Sequence, residues 1–370
     1  MATKVTRKKK SNKLALIEGE VAFVGLDVHK KSFTVSVWTP QRGTIANWTH
    51  PAEALSLCRK LEPLRCQIER VVYEAGPTGY WLHHALSEQG FPVDVIAPSK
   101  TPQAPNRNGK SDRRDAQELA RLAGKSMLTP IIVPTPQQEA DRQVIRRRSQ
   151  IIGQGRQVKQ RIKSFLLQHH LPEPGGLAHW SHAGVDALRE LELGDELRFC
   201  LDSLLADLDH ANAQRKTIDR RLVALSRTER HASAVTLLRR VPGVGLVTAM
   251  TVVLELPSPD RFETPEQVSS YVGLAPWSSR SGSGHRSGPI VKSGKKQLRT
   301  VLVEAAWQWK KHDPGARARF NHLAQQTASG KKAVVAMARR LAIELWRILT
   351  TGLVYEPGTA LDSDDGQTAA

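Results

Sequence analysis

Four carboxylates stand out because of the structural setting that the sequence predicts for each of them. Asp27 interrupts an otherwise apolar strand in GLDVHK, where a buried charge is costly unless it is paired or binds a metal. Glu74 ends a second apolar strand in VVYEAGPTGY, and Asp112 and Asp115 share one face at the start of a helix. Four acids from three elements could hold two divalent ions about 3.5 to 4 Å apart, an arrangement that supports phosphodiester chemistry.

Each of these acids also has an ordinary structural explanation. Asp112 and Asp115 could complement the helix dipole, Glu74 could accept a hydrogen bond from a turn, and Asp27 could pair with a lysine that follows it. The histidines form no competing site, because no HExxH motif is present and the adjacent pairs lack an i, i+4 spacing. A structural role is favoured for any one acid taken alone, whereas a metal site is favoured for all four in this order.

The elements that must position these acids form a mixed α/β pattern. Strands are predicted over Val21–Val28, Ser32–Trp38 and Thr44–Trp48, and their short connections indicate antiparallel hairpins. Helices and strands then alternate over Ala52–Lys60 (helix), Val71–Tyr73 (strand), Thr78–Gln89 (helix), Val93–Ala97 (strand) and Ser111–Gly124 (helix, with Ser111 as its N-cap).

The middle of the chain is predicted to be helical and repetitive. Apolar residues recur every seven positions from Leu197 to Leu225, and a second series from Leu201 to Leu222 interleaves with them, with Arg215 as its polar member. This spacing predicts a coiled coil of about four heptads. An earlier helix has the same spacing from Val144 to Phe165, so the two helices could pair as an antiparallel hairpin or each could pair with another chain.

Basic side chains crowd the other faces of that earlier helix. Because Asp141 is the acid that opposes them, nucleic-acid contact is favoured over a merely solvated helix face. These bases are Arg146, Arg147, Arg148, Arg156, Lys159, Arg161 and Lys163.

From Thr236 onward, glycine, serine and further bases become frequent. The turn VPGVG, with Gly243 and Gly245, is predicted to open a helix whose backbone N–H groups could meet a phosphate. A last helix, Ala333–Leu349, has one apolar face that would close the core of this region. The bases that follow the turn are Arg280, Arg286, Lys292, Lys295, Lys296 and Arg299.

Composition indicates the kind of partner. The chain of 370 residues has 54 Lys and Arg against 36 Asp and Glu, a formal net charge of +18, which favours a polyanion. No apolar run approaches the ~20 residues that span a bilayer, and no secretory signal is recognisable. The three cysteines lack CxxC spacing. We therefore expect a cytoplasmic protein, associated with the nucleoid and without membrane contact.

The motifs, taken together and in order, resemble a known family. GLDVHK, EAGPTGY, KSDRRDAQELA, VPGVG, YVGLAP, SRSG and KSGKKQLR are similar to the DEDD transposases of the insertion-sequence family one hundred and ten, the bridge-RNA-guided serine recombinases. The similarity extends from Val21 to about Arg299. It implies an α/β plus α fold: a RuvC-like, RNase H-type mixed-sheet domain, a coiled-coil insertion and a mainly helical C-terminal transposase domain.

The resemblance also implies the roles of site residues. Asp27, Glu74, Asp112 and Asp115 would bind magnesium or manganese, and Ser281 would be the nucleophile, with Ser278, Ser279 and Ser283 as alternatives. The charge pattern itself predicts that the basic residues above, with Lys110, Arg113 and the turn glycines Gly243 and Gly245, contact nucleic acid. The predicted segments are a basic arm (1–20), the RuvC-like domain (21–140), the coiled-coil region (141–232), the serine transposase domain (233–355) and an acidic tail (356–370).

The implied function is excision and insertion of a mobile DNA element by serine attack and strand exchange. Donor and target DNA, a noncoding guide RNA, and a dimer that becomes a tetramer on DNA would be the partners. Three alternatives remain open on the residues: a metal-dependent DNA nuclease, a nucleic-acid-binding protein without activity, and an actin-like ATPase. The last is disfavoured because no Gly-rich phosphate loop adjoins Asp27.

Overall fold

A computed structural model describes residues 16–102, 111–256, 258–281, 284–291 and 294–357, although not the side chains of residues 278–281 and 284–287. The chain divides after Pro136 into two compact units, Met1–Pro136 and Gln137–Ala370. No helix in these described ranges is both long and apolar enough to cross a membrane.

The first unit is built on a mixed five-stranded sheet. Its order is β3-β2-β1-β4-β5, with β1–β2 and β2–β3 antiparallel and β1–β4 and β4–β5 parallel. The expected antiparallel hairpins at the start of the sheet are therefore confirmed. The strands are β1 (Ala22–Val28), β2 (Ser32–Thr39), β3 (Gly43–Pro51), β4 (Ile68–Glu74) and β5 (Val93–Ile96).

Helices cover both faces of this sheet. Helices α1 (Ala54–Leu61) and α2 (Trp81–Glu88) share a core with Val24 and Leu26 of β1 on one face. Helix α3 (Asp112–Gly124) lies against the other face, where its buried positions repeat at helical spacing. The mixed α/β domain that the sequence predicts is thus confirmed, and it fits the RuvC-like, RNase H-type domain that the family resemblance implies.

Gly25 allows α3 to lie unusually close to β1. A Cβ atom at this position would be 2.1 Å from the Ala116 carbonyl oxygen and 2.6 Å from the Ala120 amide nitrogen. Side chains alternate between the faces of a strand, so Gly25 shares its face with Asp27, two residues further on. The missing side chain therefore brings the helix that carries Asp112 and Asp115 onto the face that carries Asp27.

The second unit is mainly helical and adds one two-stranded hairpin. Its hairpin strands are β6 (Pro276–Ser281) and β7 (Gly284–Ile290), in a segment for which the sequence indicated only Ser and Gly enrichment. Its helices are α4 (Pro136–Gln168), α5 (His182–Arg189), α6 (Asp195–Ser226), α7 (Glu229–Leu238), α8 (Leu246–Glu255), α9 (Pro265–Val272), α10 (Lys296–His312), α11 (Pro314–Thr327) and α12 (Gly330–Thr351).

The two long helices α4 and α6 pack side by side in opposite directions. Arg148 Nε lies 2.6 Å from Asp219 Oδ1, and a Cβ at Gly155 would lie 3.7 Å from that of Ala211. Near the C-terminal end of α4 and the N-terminal end of α6, three buried apolar residues of each helix share a small core. Arg215 is exposed, so the heptad seam is not buried along its whole length. The coiled coil, and any pairing with another chain, remain predictions.

The main core of the second unit confirms the apolar face that the sequence predicts for its last helix. Helix α12 buries Met337, Leu341, Leu345 and Ile348, as its pattern predicts. Helix α8 begins at Leu246, directly after the predicted turn. At Gly243 a Cβ would lie 2.6 Å from the Trp309 amide nitrogen of α10, so the missing side chain there also allows close helix packing. Gly245 has no atom within 4 Å of its Cβ position. Phosphate contact at Gly243 and Gly245 stays a prediction.

Candidate active site

The register of two parallel strands places two of the predicted acids together. Strand β1 pairs with β4 so that Leu26 lies opposite Tyr73. The next position on each strand is an acid, Asp27 on β1 and Glu74 at the end of β4. Equivalent positions of parallel neighbours point to the same face, and ligands meet the carboxyl ends of such strands. The sheet therefore presents both carboxylates at one edge of the first unit.

Helix α3 supplies the other two acids from its first turn. Ser111 is its N-cap, and the Ser111 hydroxyl accepts a hydrogen bond from the Arg114 amide at 3.4 Å. Asp112 and Asp115 follow in the first turn, as the sequence predicts. Asp112 is exposed, whereas Asp115 is half-buried toward the sheet. The N-cap thus fixes where the helix begins and, with it, the position of both carboxylates.

His29 joins Asp27 to Asp112. Its Nε2 lies 3.2 Å from Asp27 Oδ2 and 3.3 Å from Asp112 Oδ2. One ligand atom of each of the three residues lies within 4.8 Å of the others, a spacing that can hold a metal ion. Sequence reasoning missed His29, although its position two residues after Asp27 indicated the same side of the strand.

A cleft of about 660 Å³ adjoins these groups. Asp27, Glu74 and Asp115 line it together with Lys30 and Trp81. Thr101 helps to orient the Glu74 carboxylate, because Glu74 Oε1 accepts a hydrogen bond from Thr101 Oγ1 at 2.7 Å. The structure therefore brings all four predicted acids to one region, three of them in the wall of the cleft and Asp112 linked to it through His29.

Electrostatics make this region attractive to a cation. Burial raises the pKa of the Asp27 carboxyl, and the negative charges of Asp112 and Asp115 raise it further, while His29 acts in the opposite direction. Carboxylate oxygens are the preferred ligands of Mg²⁺ and suit Mn²⁺, and a bound cation would relieve the repulsion among them. The donor set therefore fits a hard divalent metal.

The predicted nucleophile and several predicted bases lie in or beside the β6–β7 hairpin. The backbone of Ser281 ends β6 and pairs with Gly284, and Arg280 and Arg286 lie on the same two strands. Lys295 and Lys296 follow the hairpin at the start of α10, where Lys295 is half-buried and Lys296 is exposed. Lys110, Ser283 and Lys292 lie outside the described residues, as do the basic arm up to residue 15 and the tail from residue 358.

The remaining bases differ in how they are engaged. Arg113 and Arg147 are exposed, whereas Arg146 forms a two-point ion pair with Glu255 and Arg148 pairs with Asp219. The Arg299 guanidinium donates to the Val272 carbonyl at 3.5 Å. The partners of these arginines lie on elements that are distant in the sequence. The pattern of charges along the chain therefore gave no indication of these contacts.

Lys159 is engaged at the far end of the α4–α6 pair. Its ammonium lies over the Trp180 ring, 5.0 Å from the centroid. Burial, and then the nearby charge of Arg215, lower the pKa of Lys159. A phosphate nearby would stabilise the charged form of Lys159. Contact of Lys159 with nucleic acid therefore stays a prediction.

Comparison with known proteins gives this geometry a family context. A model of DEDD-type transposases of the IS110 group matches residues 24–171, which include all four acids. A second model, described as the transposase IS116/IS110/IS902 family, matches residues 235–321, which include Ser281. The two matches thus cover both regions that the sequence motifs single out.

Individual relatives extend over most of the chain. A protein of Sinorhizobium fredii named as a transposase, y4qE, is 29% identical over 91% of this chain and 84% of its own length. The transposase for insertion sequence element IS1533 of Leptospira borgpetersenii is 25% identical over 87% of this chain and 94% of its own. The transposase for IS1111A of Coxiella burnetii is 24% identical over 78% and 79%, respectively.

The chemistry of the site agrees with these matches. A DEDD-type domain implies the use of a divalent metal, for which the clustered carboxylates provide oxygen ligands. Transposases act on DNA, which accounts for the polyanion that the net charge of +18 favours. The chain is therefore a transposase, a DNA-acting enzyme, and the two regions that the models match are similar to the IS110 family of DEDD transposases.

Proposed function

We propose that this transposase excises and inserts its element as a serine recombinase, with Asp27, Glu74, Asp112 and Asp115 as metal ligands and Ser281 as nucleophile. The observation that carries the proposal is the convergence of the acids on one cleft from β1, β4 and α3. Support for Ser281 comes from its place in the SRSG motif, on a hairpin that basic residues flank.

The two sets of residues have complementary tasks. A divalent ion held by the acids, with Mg²⁺ or Mn²⁺ as the candidates, would neutralise charge on the scissile phosphate. Ser281 Oγ forms a bond to phosphorus, the bond to one deoxyribose oxygen breaks, and that oxygen leaves as a hydroxyl with the serine proton. The phosphoserine bond conserves the ester, so a hydroxyl of a second strand can later displace the serine and restore it.

Replacing Ser281 distinguishes a recombinase from a nuclease with the same acids. We expect Ser281→Ala to abolish both cleavage and the covalent protein–DNA adduct, because no oxygen remains to attack phosphorus. The measurement is denaturing gel electrophoresis of a labelled donor duplex with the purified chain and Mg²⁺. Ser278→Ala and Ser279→Ala serve as matched controls in the same strand and should retain the adduct.

A different result would identify the rival function. Cleavage by Ser281→Ala at the wild-type rate, with no adduct in the wild type, would mean that water attacks the phosphate and that the chain is a RuvC-like nuclease. An adduct that disappears in Ser279→Ala instead would move the nucleophile to Ser279.

We further propose that a noncoding RNA selects the DNA and that the protein works as a dimer, becoming a tetramer on DNA. Basic residues are abundant, yet the sequence contains no zinc finger or other dedicated reader of base edges, which favours recognition of backbones. The proposed backbone contacts are Lys110, Arg113, Arg146, Arg147, Arg148, Lys159, Gly243, Gly245, Arg280, Arg286, Lys292, Lys295, Lys296 and Arg299.

Purification with the native flanking DNA tests these partners. The protein should retain one discrete RNA that maps to the flank after DNase treatment and a high-salt wash. Sedimentation of the complex with DNA should give a mass above that of a monomer. Random cellular RNA would contradict guidance, and a monomeric complex would contradict the assembly.

A further inference from the structure

A basic cluster surrounds one buried carboxylate in the second unit. It consists of Glu255 at the end of α8, Arg142 and Arg146 on α4, Arg261 before α9, and Lys295 before α10, and we call it the Glu255 cluster. Glu255 is only 2% exposed, and Arg146 binds it at two points, Nε to Oε1 at 2.7 Å and Nη2 to Oε2 at 3.1 Å. That one ion pair neutralises the carboxylate.

Three cations of the cluster remain without a carboxylate. Arg142 is buried, and its Nε donates to the Leu254 carbonyl at 2.6 Å, which supplies no charge. The Arg261 guanidinium lies over the Phe262 and Tyr271 rings, 4.4 and 4.5 Å from their centroids. Over the described ranges, no acidic oxygen lies within 4 Å of Arg142, Arg261 or Lys295, since none of them forms an ion pair there.

Lys295 is the least compensated of the three. Its half-buried ammonium has neither a hydrogen-bond nor an ion-pair partner in the described part of the chain, and its strongest charged neighbours are Glu255 and three guanidinium groups. Burial lowers the pKa of Lys295, and the charges of Arg146, Arg142 and Arg261 lower it further, against the opposing effect of Glu255. Holding uncompensated cations together costs free energy that a bound anion would recover.

The backbone around Lys295 also favours an anion. Lys295 is the N-cap of α10, a helix of 17 residues, and no side chain caps its first turn. The first N–H groups of a helix have no intrahelical acceptor and carry the positive end of its dipole. The Lys295 amide itself donates to the Tyr271 carbonyl at 3.2 Å, which fixes the helix start beside the cluster. The basic side chains and the N-terminus of α10 therefore both favour a negatively charged ligand.

We infer that the Glu255 cluster is a binding site for one backbone phosphate of DNA, with Lys295 as its principal contact and Arg142 and Arg261 as supporting charges. This inference rests on the proposed function, because it places a phosphodiester next to the segment that leads from the β6–β7 hairpin into α10. Guanidinium and ammonium donors suit a phosphate oxygen, and the net excess of cations over carboxylates sets the sign of the ligand.

Opposite charge changes in the cluster provide the test. Anisotropy of a labelled DNA duplex with the full chain, at several salt concentrations, should show about fivefold to tenfold weaker binding for Lys295→Met. The slope of log K against log[salt] should fall by about 0.9, the value for one phosphate contact. Lys295→Arg should restore both. Glu255→Gln, which removes the single negative charge, should bind DNA more tightly than the wild type.

Matched controls separate this site from a general loss of charge or fold. Lys331→Met removes an exposed lysine from the first turn of α12 and should bind like the wild type. The melting temperature of DNA-free Lys295→Met should equal or exceed that of the wild type, because the Lys295 ammonium holds no partner in the described structure and its burial costs free energy. If Glu255→Gln fails to fold, the three lysine variants still decide the question.

The outcomes distinguish the site from the proposed function. Unchanged affinity and salt slope in Lys295→Met, with wild-type DNA binding intact, would overturn the site alone. An effect on a matched RNA duplex but not on DNA would also overturn the assignment to DNA. A wild-type chain that binds no DNA would overturn both the site and the proposed function.

Discussion

Asp27→Asn should slow DNA cleavage severely without loosening the fold. The variant keeps the size of the side chain but removes the negative charge with which Asp27 would help to bind the metal ion. Loss of one charged ligand of a site that stabilises the reacting phosphate should lower the cleavage rate by about a hundredfold to a thousandfold. Cleavage of a labelled duplex by the wild type and the variant, at equal concentration and with Mg²⁺ or Mn²⁺, measures the change.

Thermal unfolding distinguishes this effect from misfolding. Burial, and then the charges of Asp112 and Asp115, raise the pKa of Asp27, so its ionised form is less favourable in the folded protein than in the unfolded chain. Neutralising it should leave the melting temperature of the metal-free protein unchanged or higher. A saturating divalent metal should stabilise the wild type, by about 2.7 kcal/mol at a hundred times its Kd, and the variant much less.

An acid elsewhere on the sheet provides the control for Asp27. Glu69 is exposed on β4, the strand whose other end carries Glu74. Glu69→Gln should cleave DNA and respond to metal like the wild type. Full activity of Asp27→Asn, or an equal loss in Glu69→Gln, would contradict the assignment of Asp27 as a ligand.

Gly25→Ala should unfold the first unit more easily and remove activity with it. The added Cβ would lie 2.1 Å and 2.6 Å from backbone atoms of α3, which cannot turn aside as a side chain can. Helix α3 must then move away from β1 and carry Asp112 and Asp115 with it. We expect a loss of about 3 kcal/mol in the free energy of unfolding, the upper range for overpacking. Urea unfolding measures that change, and the cleavage assay measures the activity.

The same substitution at another glycine should have the opposite sign. Gly153 lies inside α4, and no atom lies within 4 Å of its Cβ position. Gly153→Ala should therefore stabilise the protein by about 1 kcal/mol, the difference in helix propensity between the two residues. A Gly25→Ala chain as stable as the wild type would show that α3 does not depend on its close contact with β1.

Local patterns were sufficient for most elements of the first unit. The short apolar run Val21–Val28 and the alternation in Ser32–Trp38 depend only on nearby residues, and both segments contain strands. The start of α3 at Asp112 was predictable because Ser111 is a strong N-cap residue. The apolar face of α12, with Met337 and Leu341, follows from a spacing of 3.6 residues per turn. In each case the signal lies within one or two turns of chain.

Contacts between distant segments were not predictable in the same way. Nothing near Arg146 or Arg148 in the sequence indicates that Glu255 and Asp219 neutralise them, because those acids are about a hundred and about seventy residues away. Nothing in the VPGVG turn indicates that the missing side chain of Gly243 also lets α10 pack closely against it. A charge or a glycine has no periodicity of its own, so its role depends on what the fold brings beside it.

The sequence by itself determined the residue types that can do chemistry and the elements that carry them: Asp27 and Glu74 on strands, Asp112 and Asp115 on a helix. Only the tertiary structure decided that three of them line one cleft, that His29 joins Asp27 to Asp112, and that Lys295 lies near three guanidinium groups and the single carboxylate of Glu255. The reason is physical. Strand and helix patterns arise from nearby residues, whereas parallel register, helix packing and charge compensation depend on residues that come together only when the chain folds.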